Sequence, residues 1–143
     1  MTSNGTGGKK IKFGTDGIRG VANLELTADV ALTVGRCVAH YMSVSKKGSA
    51  RRALVGKDTR VSGDMIETAL VAGITSVGVD AWRIGITPTP ALAHMTRALN
   101  CDCGIMISAS HNPVEDNGIK IFSADGYKLE DADEEAIEAL IQA

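Results

Sequence analysis

Aromatic side chains are scarce in this chain: one tryptophan, two tyrosines and two phenylalanines amount to 3% of 143 residues. A core made of rings is therefore excluded. The 44% hydrophobic content must pack as Ala, Val, Ile, Leu and Met. Cysteine is equally sparse, with only Cys37, Cys101 and Cys103. An odd number without paired Cys-x-x-Cys spacing excludes a disulfide framework and a thiolate zinc site, and it points to a reduced, cytoplasmic protein. No apolar run approaches the roughly 20 residues that span a bilayer, and the N-terminus carries no signal-peptide pattern, so no membrane partner is expected. Lys9, Lys10 and Lys12 lack the interleaved aromatics of a nucleic-acid surface, and no nucleic acid is expected either.

What is present is glycine, 16 residues of it, among small aliphatics. That mixture suits α/β layering, and the length suits one domain burying about two thirds of its unfolded surface. The polar, glycine-rich opening, residues 1–10, reads as a flexible tail before a domain over residues 11–143. The net charge of -2 hides an asymmetry: residues 1–60 hold eleven Lys and Arg against four acids, the remainder four against thirteen. Some of the N-terminal basic groups can face an anionic ligand, and isolated lysines can equally be solvated by chance.

In chain order, Ile11 to Phe13 reads as a strand, followed by Gly14 to Gly20. Its three glycines around Arg19 fit either a hairpin turn with an exposed arginine or a loop that brings a bidentate cation to phosphate or carboxylate. Thr27 caps a helix with Val30, Val34, Cys37, Val38 and Tyr41 on one stripe, and Lys46, Lys47, Gly48 and Ser49 supply its basic end and exit. Ala53 to Gly56 is a short buried strand that hands Lys57, Asp58, Thr59 and Arg60 to a loop. Ser62 there reads as a helix cap, Lys57 as a surface ion-pair partner and Arg60 as functional. The next helix aligns Ile66, Leu70 and Ile74, with Gly73 marking close packing and Gly78 its stop. Val79 to Ile86 alternates as a strand towards a sheet edge, with Trp82 as packing. A threonine cap and a first-turn proline in Thr87 to Pro90 begin a helix covered by Leu92, Met95 and Leu99; His94 on it reads as surface. Cys101 and Cys103, two apart, are expected on one face of a strand as core residues. After a strand at Ile119 to Phe122 and a turn at Asp125 and Gly126, Asp131 to Ala143 reads as an acidic helix with Ile137, Leu140 and Ile141 apolar.

Between the two buried strands that end at Ile107 and begin at Ile119 lies Ser108, Ala109, Ser110, His111, Asn112 and Pro113. A buried strand that delivers two hydroxyls, an imidazole and an amide to a loop is a rigid support for polar chemistry. A Ser-His-Asp hydrolase is disfavoured, because adjacent Ser110 and His111 are poorly placed to hydrogen bond as nucleophile and base and no Gly-x-Ser-x-Gly elbow exists. Two phosphate chemistries remain. The loop, with Gly14 to Gly20 and the Arg19 and Arg60 guanidiniums, can cradle an anion, or Ser110 can itself carry a phosphoryl group.

FGTDGIRG at Phe13 to Gly20, GKDTRVSG at Gly56 to Gly63, SASHNP at Ser108 to Pro113 and DNGIKIFSADGYKL at Asp116 to Leu129 together resemble the N-terminal domain of the α-D-phosphohexomutase family. The resemblance covers essentially the chain beyond the tail. It implies an α/β fold with a mixed, mainly parallel sheet sandwiched between helices. It also implies that Ser110 is a phosphoserine that passes its phosphoryl group to a sugar monophosphate, through a bisphosphate that turns over in the site. The hexosamine phosphate substrates implied are glucosamine 6-phosphate and glucosamine 1-phosphate, with mannose or glucose phosphates, or a non-catalytic phosphate-binding module, as alternatives. By the same resemblance Arg19 holds phosphate, Lys120 shuttles a proton or stabilises charge, His111 orients loop or substrate, and Arg60, Ser108 and Asn112 belong to the phosphate surroundings. Mg2+ would meet Ser110 through its phosphate. The carboxylate ligands and sugar-selecting loops belong to later domains, which makes the expected chain a fragment inactive alone.

Overall fold

The computed structural model describes residues 11–45 and 51–143. Along them run β1 (Ile18–Val21), α1 (Ala28–Ser45), β2 (Arg52–Lys57), α2 (Gly63–Ser76), β3 (Asp80–Ile86), α3 (Thr89–Ala98), β4 (Cys103–Ile107), β5 (Asp116–Ser123) and α4 (Asp131–Gln142). The strands form one sheet in the order β1-β5-β4-β2-β3. β2 pairs in parallel with both β3 and β4, while β5 runs antiparallel to β4 and to β1. Four strands therefore point one way and β5 alone opposes them, the mixed, mainly parallel sheet expected. β3 lies at an edge, also as expected.

Both faces of the centre are covered, which is why β4 throughout and β2 from Ala53 to Gly56 are continuously apolar rather than alternating. On one face Ala53, Val55, Ile105, Ile107, Ile119 and Ile121 meet Val34 and Val38 of α1, Ile66, Leu70 and Ile74 of α2, and Ile137 of α4. On the other, Leu54 and Met106 meet Leu92 of α3, with Met95, Leu99 and Phe122 beside them. The two aliphatic stripes read from the sequence are these helix faces. Thr27 caps α1 as expected, its hydroxyl accepting from the Val30 N–H at 3.2 Å.

α1 and α2 cross backbone to backbone. A Cβ on Gly73 would lie 2.2 Å from the Leu32 carbonyl oxygen, and one on Gly35 would lie 2.5 Å from that of Leu70. Gly73 was legible as a packing glycine; its counterpart Gly35 was not, because glycine inside a helix carries no partner's address.

Several expectations are corrected. No strand forms at Ile11 to Phe13. The Ile11 carbonyl accepts from Gln142 Nε2 at 3.0 Å and the Phe13 N–H donates to the Glu138 carboxylate, so α4 satisfies this backbone in place of a ladder. The strand starts later, at Ile18, after a tight turn in which Gly14 and Gly17 exchange backbone hydrogen bonds. Ser62 makes no side-chain cap on α2, and the N-cap of α3 is Pro88 rather than a threonine. Cys101 and Cys103 face opposite layers, since β4 begins only at Cys103 and alternation does not extend back to Cys101. β5 begins at Asp116, earlier than the apolar run suggested. The exit at Lys46 to Ser49 and the tail at residues 1–10 lie outside the described residues. Among the described residues no helix is long and apolar enough to cross a membrane.

The crossing yields a stability prediction. Gly73→Ala forces α1 and α2 apart and is expected to cost about 3 kcal/mol, read as a lower urea midpoint at unchanged slope; an unmoved midpoint would show that the helices tolerate separation there.

Candidate active site

The parallel strands β2 and β4 deliver their C-terminal ends side by side, and the loops that follow them, 58–62 and 108–115, touch. The Asp58 N–H donates to the Ile107 carbonyl at 3.0 Å, and the Ser108 N–H to that of Gly118 at 3.0 Å. Gly118 has no room for a side chain: its Cβ would lie 2.7 Å from the Ser108 oxygen and 3.0 Å from Arg19 Cγ.

Within the second loop Ser108 is buried, and its hydroxyl accepts from the Ser110 N–H at 3.1 Å. The Asn112 N–H closes a turn onto the Ala109 carbonyl at 3.0 Å. Between them Ser110 is exposed and sits at φ +55°, the left-handed region that costs a non-glycine residue roughly 1–2 kcal/mol. Such a backbone persists only where its surroundings over-determine it. Ser108 thus serves the loop internally, while Ser110 is the hydroxyl turned outwards.

Arg60 supplies the determination. Its Nη1 donates to the carbonyls of Pro113 at 2.7 Å and Asp116 at 3.1 Å, and its Nη2 to those of Ser110 at 2.9 Å and Asn112 at 3.0 Å. Nε donates to Asp58 Oδ2 at 3.3 Å, and Asp58 Oδ1 accepts from the Arg60 N–H at 3.1 Å. All five guanidinium protons are used, and only 10% of the side chain is exposed. The Arg60 donors are engaged by backbone carbonyls around Ser110 and by Asp58, which places Arg60 in the surroundings of the loop.

Arg19, on β1 opposite Gly118, donates from Nη1 to Asn112 Oδ1 at 3.2 Å, and its Nη2 lies 4.0 Å from Asp16 Oδ2. Its buried Nε has no partner. Asn112 Nδ2 in turn donates to Asp116 Oδ2 at 3.3 Å. Lys120 pairs with Met106 across the β4–β5 ladder and lines a cleft with Thr15, Asp16, Lys128 and Glu134. His111 is exposed. Neither the His111 nor the Lys120 side chain makes a hydrogen bond or ion pair among the described residues. Arg19, Arg60, Ser108, Ser110 and Asn112 are therefore joined in one network, and the free groups around it are Ser110, His111 and Lys120.

Lys57 stands apart from this network. It pairs with Asp64 at 2.6 Å and Glu67 at 3.2 Å, and the Asp64 hydrogen bond raises its pKa above the usual lysine value. The ion pair expected of it is present. Asp58 and Asn117 were not singled out from the sequence. Asn117 is fully buried; its Nδ2 donates to Ser62 Oγ at 2.9 Å and its Oδ1 accepts from the Gly118 N–H at 2.9 Å. An asparagine leading an apolar strand was the signal available.

A family model described as phosphoglucomutase/phosphomannomutase, alpha/beta/alpha domain I, matches residues 10–143. A phosphoglucosamine mutase of Mycobacterium marinum is 56% identical over 131 residues, 92% of this chain and 29% of the relative. One of Desulforamulus reducens is 57% identical over 128 residues, 90% of this chain and 28% of the relative. Among solved structures, a phosphoglucomutase/phosphomannomutase family protein from Burkholderia thailandensis superposes with a TM-score of 0.81 at 27% identity, over 94% of this chain and 30% of that one. The chain spans less than a third of the length of each.

Asn117 gives the site's structural test. Asn117→Ala strands a buried N–H and detaches β5 from the start of α2, and is expected to cost about 2 kcal/mol in chemical denaturation; a neutral result would show that the tether is dispensable.

Proposed function

Since the chain belongs to the phosphoglucomutase/phosphomannomutase family, we propose that it is the serine-bearing domain of an enzyme that interconverts glucosamine 6-phosphate and glucosamine 1-phosphate. The observation that carries this is Ser110: a strained, exposed serine at the apex of a loop pinned to a buried strand. Phosphoryl transfer asks for positioning and charge neutralisation more than for covalent novelty. Here a rigid loop supplies the first, while Arg19 and Lys120 supply the second.

In the forward direction phosphorylated Ser110 gives its phosphoryl group to a hydroxyl of the hexosamine phosphate. The Ser110 Oγ–P bond breaks, a P–O bond to the sugar forms, and the proton lost by the sugar hydroxyl ends on the departing Ser110 Oγ. Lys120 stands one rung of the ladder behind the loop as the proton shuttle or charge stabiliser. Arg19, steered by Asn112, meets the phosphate, and exposed His111 orients the substrate. The resulting bisphosphate turns over, and its other phosphate returns to Ser110.

Mg2+ belongs to the proposal as a counter-charge to the phosphate on Ser110. Among the described residues no group of three or more His, Cys, Asp or Glu side chains could hold it. This stretch alone does not fit the ion. The partners proposed are the sugar phosphate and further domains of the same polypeptide, with the fragment inactive by itself. The three free cysteines support a reducing, cytoplasmic setting.

The relatives' names favour the amino sugar, and the family description leaves mannose and glucose phosphates as the second reading. Comparing kcat/KM for the three sugars on the full-length protein decides between them. For Ser110, Ser110→Ala in that protein is expected to lower activity on the order of 10^4-fold without a change in stability beyond about 1 kcal/mol. Mass spectrometry of the protein purified from cells should find phosphate on Ser110. Full activity of the variant would sink the assignment.

A further inference from the structure

We propose that Arg60 is the positioning residue of the Ser110 loop, acting through the backbone: it gathers four carbonyls on one side so that free amides face the transferred phosphate on the other. This rests on the reading of Ser110 as the phosphoryl carrier. The carbonyls of Ser110, Asn112, Pro113 and Asp116 all converge on the one guanidinium. No peptide bond in the described chain is cis. In a trans peptide the carbonyl and the following N–H point in opposite directions. Each carbonyl drawn towards Arg60 therefore turns the next amide away from it.

The four following residues differ in what they present. Pro113 has no N–H, and Asn117 already lies in the ladder opposite Gly20. That leaves His111 and Val114, both exposed, whose N–H groups have no acceptor among the described residues. An anion approaching the outer side of the loop thus meets two unpaired donors and the Ser110 hydroxyl, with the carbonyl oxygens held out of its way. Backbone N–H groups left free on a turn are ready donors for an anion. The same clamp holds Ser110 at φ +55°. Asp58 aims the clamp, receiving both the Nε proton and the Arg60 N–H.

A lysine cannot reproduce this. It carries three donors on a compact ammonium rather than five in a planar fork, and no ammonium spans four carbonyls. Charge alone is therefore insufficient, which separates positioning from simple electrostatic attraction.

The test uses the full-length protein with Ser110 phosphorylated. Arg60→Ala is expected to lower kcat about 100-fold, the scale set by misplacing a reacting group by about 1 Å, with KM within about threefold. Arg60→Lys should restore less than about tenfold of that, and Asp58→Asn should lower kcat about tenfold with the guanidinium kept. Hydrogen exchange at the Ser110 and Asn112 amides, the two of the loop's apex that are hydrogen-bonded, should accelerate in each variant while β4 and β5 stay protected. Unchanged kcat in Arg60→Ala, full recovery in Arg60→Lys, or a rise confined to KM would each overturn the inference. Should Arg60→Ala fail to fold, Arg60→Lys and Asp58→Asn retain the charge and answer the same question. With Ser110→Ala inactive and Arg60→Ala fully active, the positioning role alone falls; with Ser110→Ala active, the carrier reading beneath it falls.

Discussion

Five hydrogen bonds from the Arg60 guanidinium join the ends of β2 and β4 into one surface. Three go to backbone carbonyls of the neighbouring loop, one to that of Asp116 where β5 begins, and one to Asp58. The charge is largely buried, and a buried cation is tolerated only when its donors are satisfied. The loop is thus shaped by a demand for acceptors. Its turn, its left-handed serine and the outward aim of its hydroxyl follow from the way four carbonyls must converge on a single plane. A loop of eight residues without that centre would have many conformations of similar energy.

The sheet prepares this arrangement. β2 and β4 are parallel neighbours, so both of their chemistry-bearing loops emerge at the same end. β5 then returns antiparallel from the loop, bringing Gly118 beside the Ser108 carbonyl and Lys120 opposite Met106. Ten positions of sequence between Ser110 and Lys120 are folded into one hairpin, while β1, added outside β5, carries Arg19 to the level of Gly118. Asn117 locks the outer pair of strands to the start of α2 from the other face. Every group in the network is held by a strand or by the backbone, and none depends on a flexible tether alone.

Much of this was legible in the residues. The helical stripes of α1 and α2, the edge position of β3 and the buried β4 all follow from periodicity, because burial on one face or both writes itself into spacing. Ser110 stood out because polar residues so placed at the end of an apolar strand have few structural uses. Failures came where a residue's partner is distant in sequence. Ile11 to Phe13 has a strand's composition, yet its hydrogen bonds go to α4 more than a hundred residues away. Ser62 has a cap's chemistry and position, and Asn117 takes its hydroxyl instead. Cys101 and Cys103 have strand spacing, but the chain bends between them before the ladder starts.

Arg60 shows where the division falls. The sequence by itself determined the alphabet of the site: a serine, a histidine and an asparagine after a buried strand, two arginines and a lysine near them, and glycines where backbones must meet. Those identities follow from local composition and chemistry, which need no partner to be read. Only the tertiary structure decided which of those groups are consumed and which remain free. Arg60 and Ser108 are turned inwards to the backbone, while Ser110 and His111 are left exposed and Lys120 lines a cleft without a side-chain partner. The reason is that hydrogen-bond satisfaction is settled by closure of contacts between distant segments, and a donor's final acceptor is not written beside it in the chain.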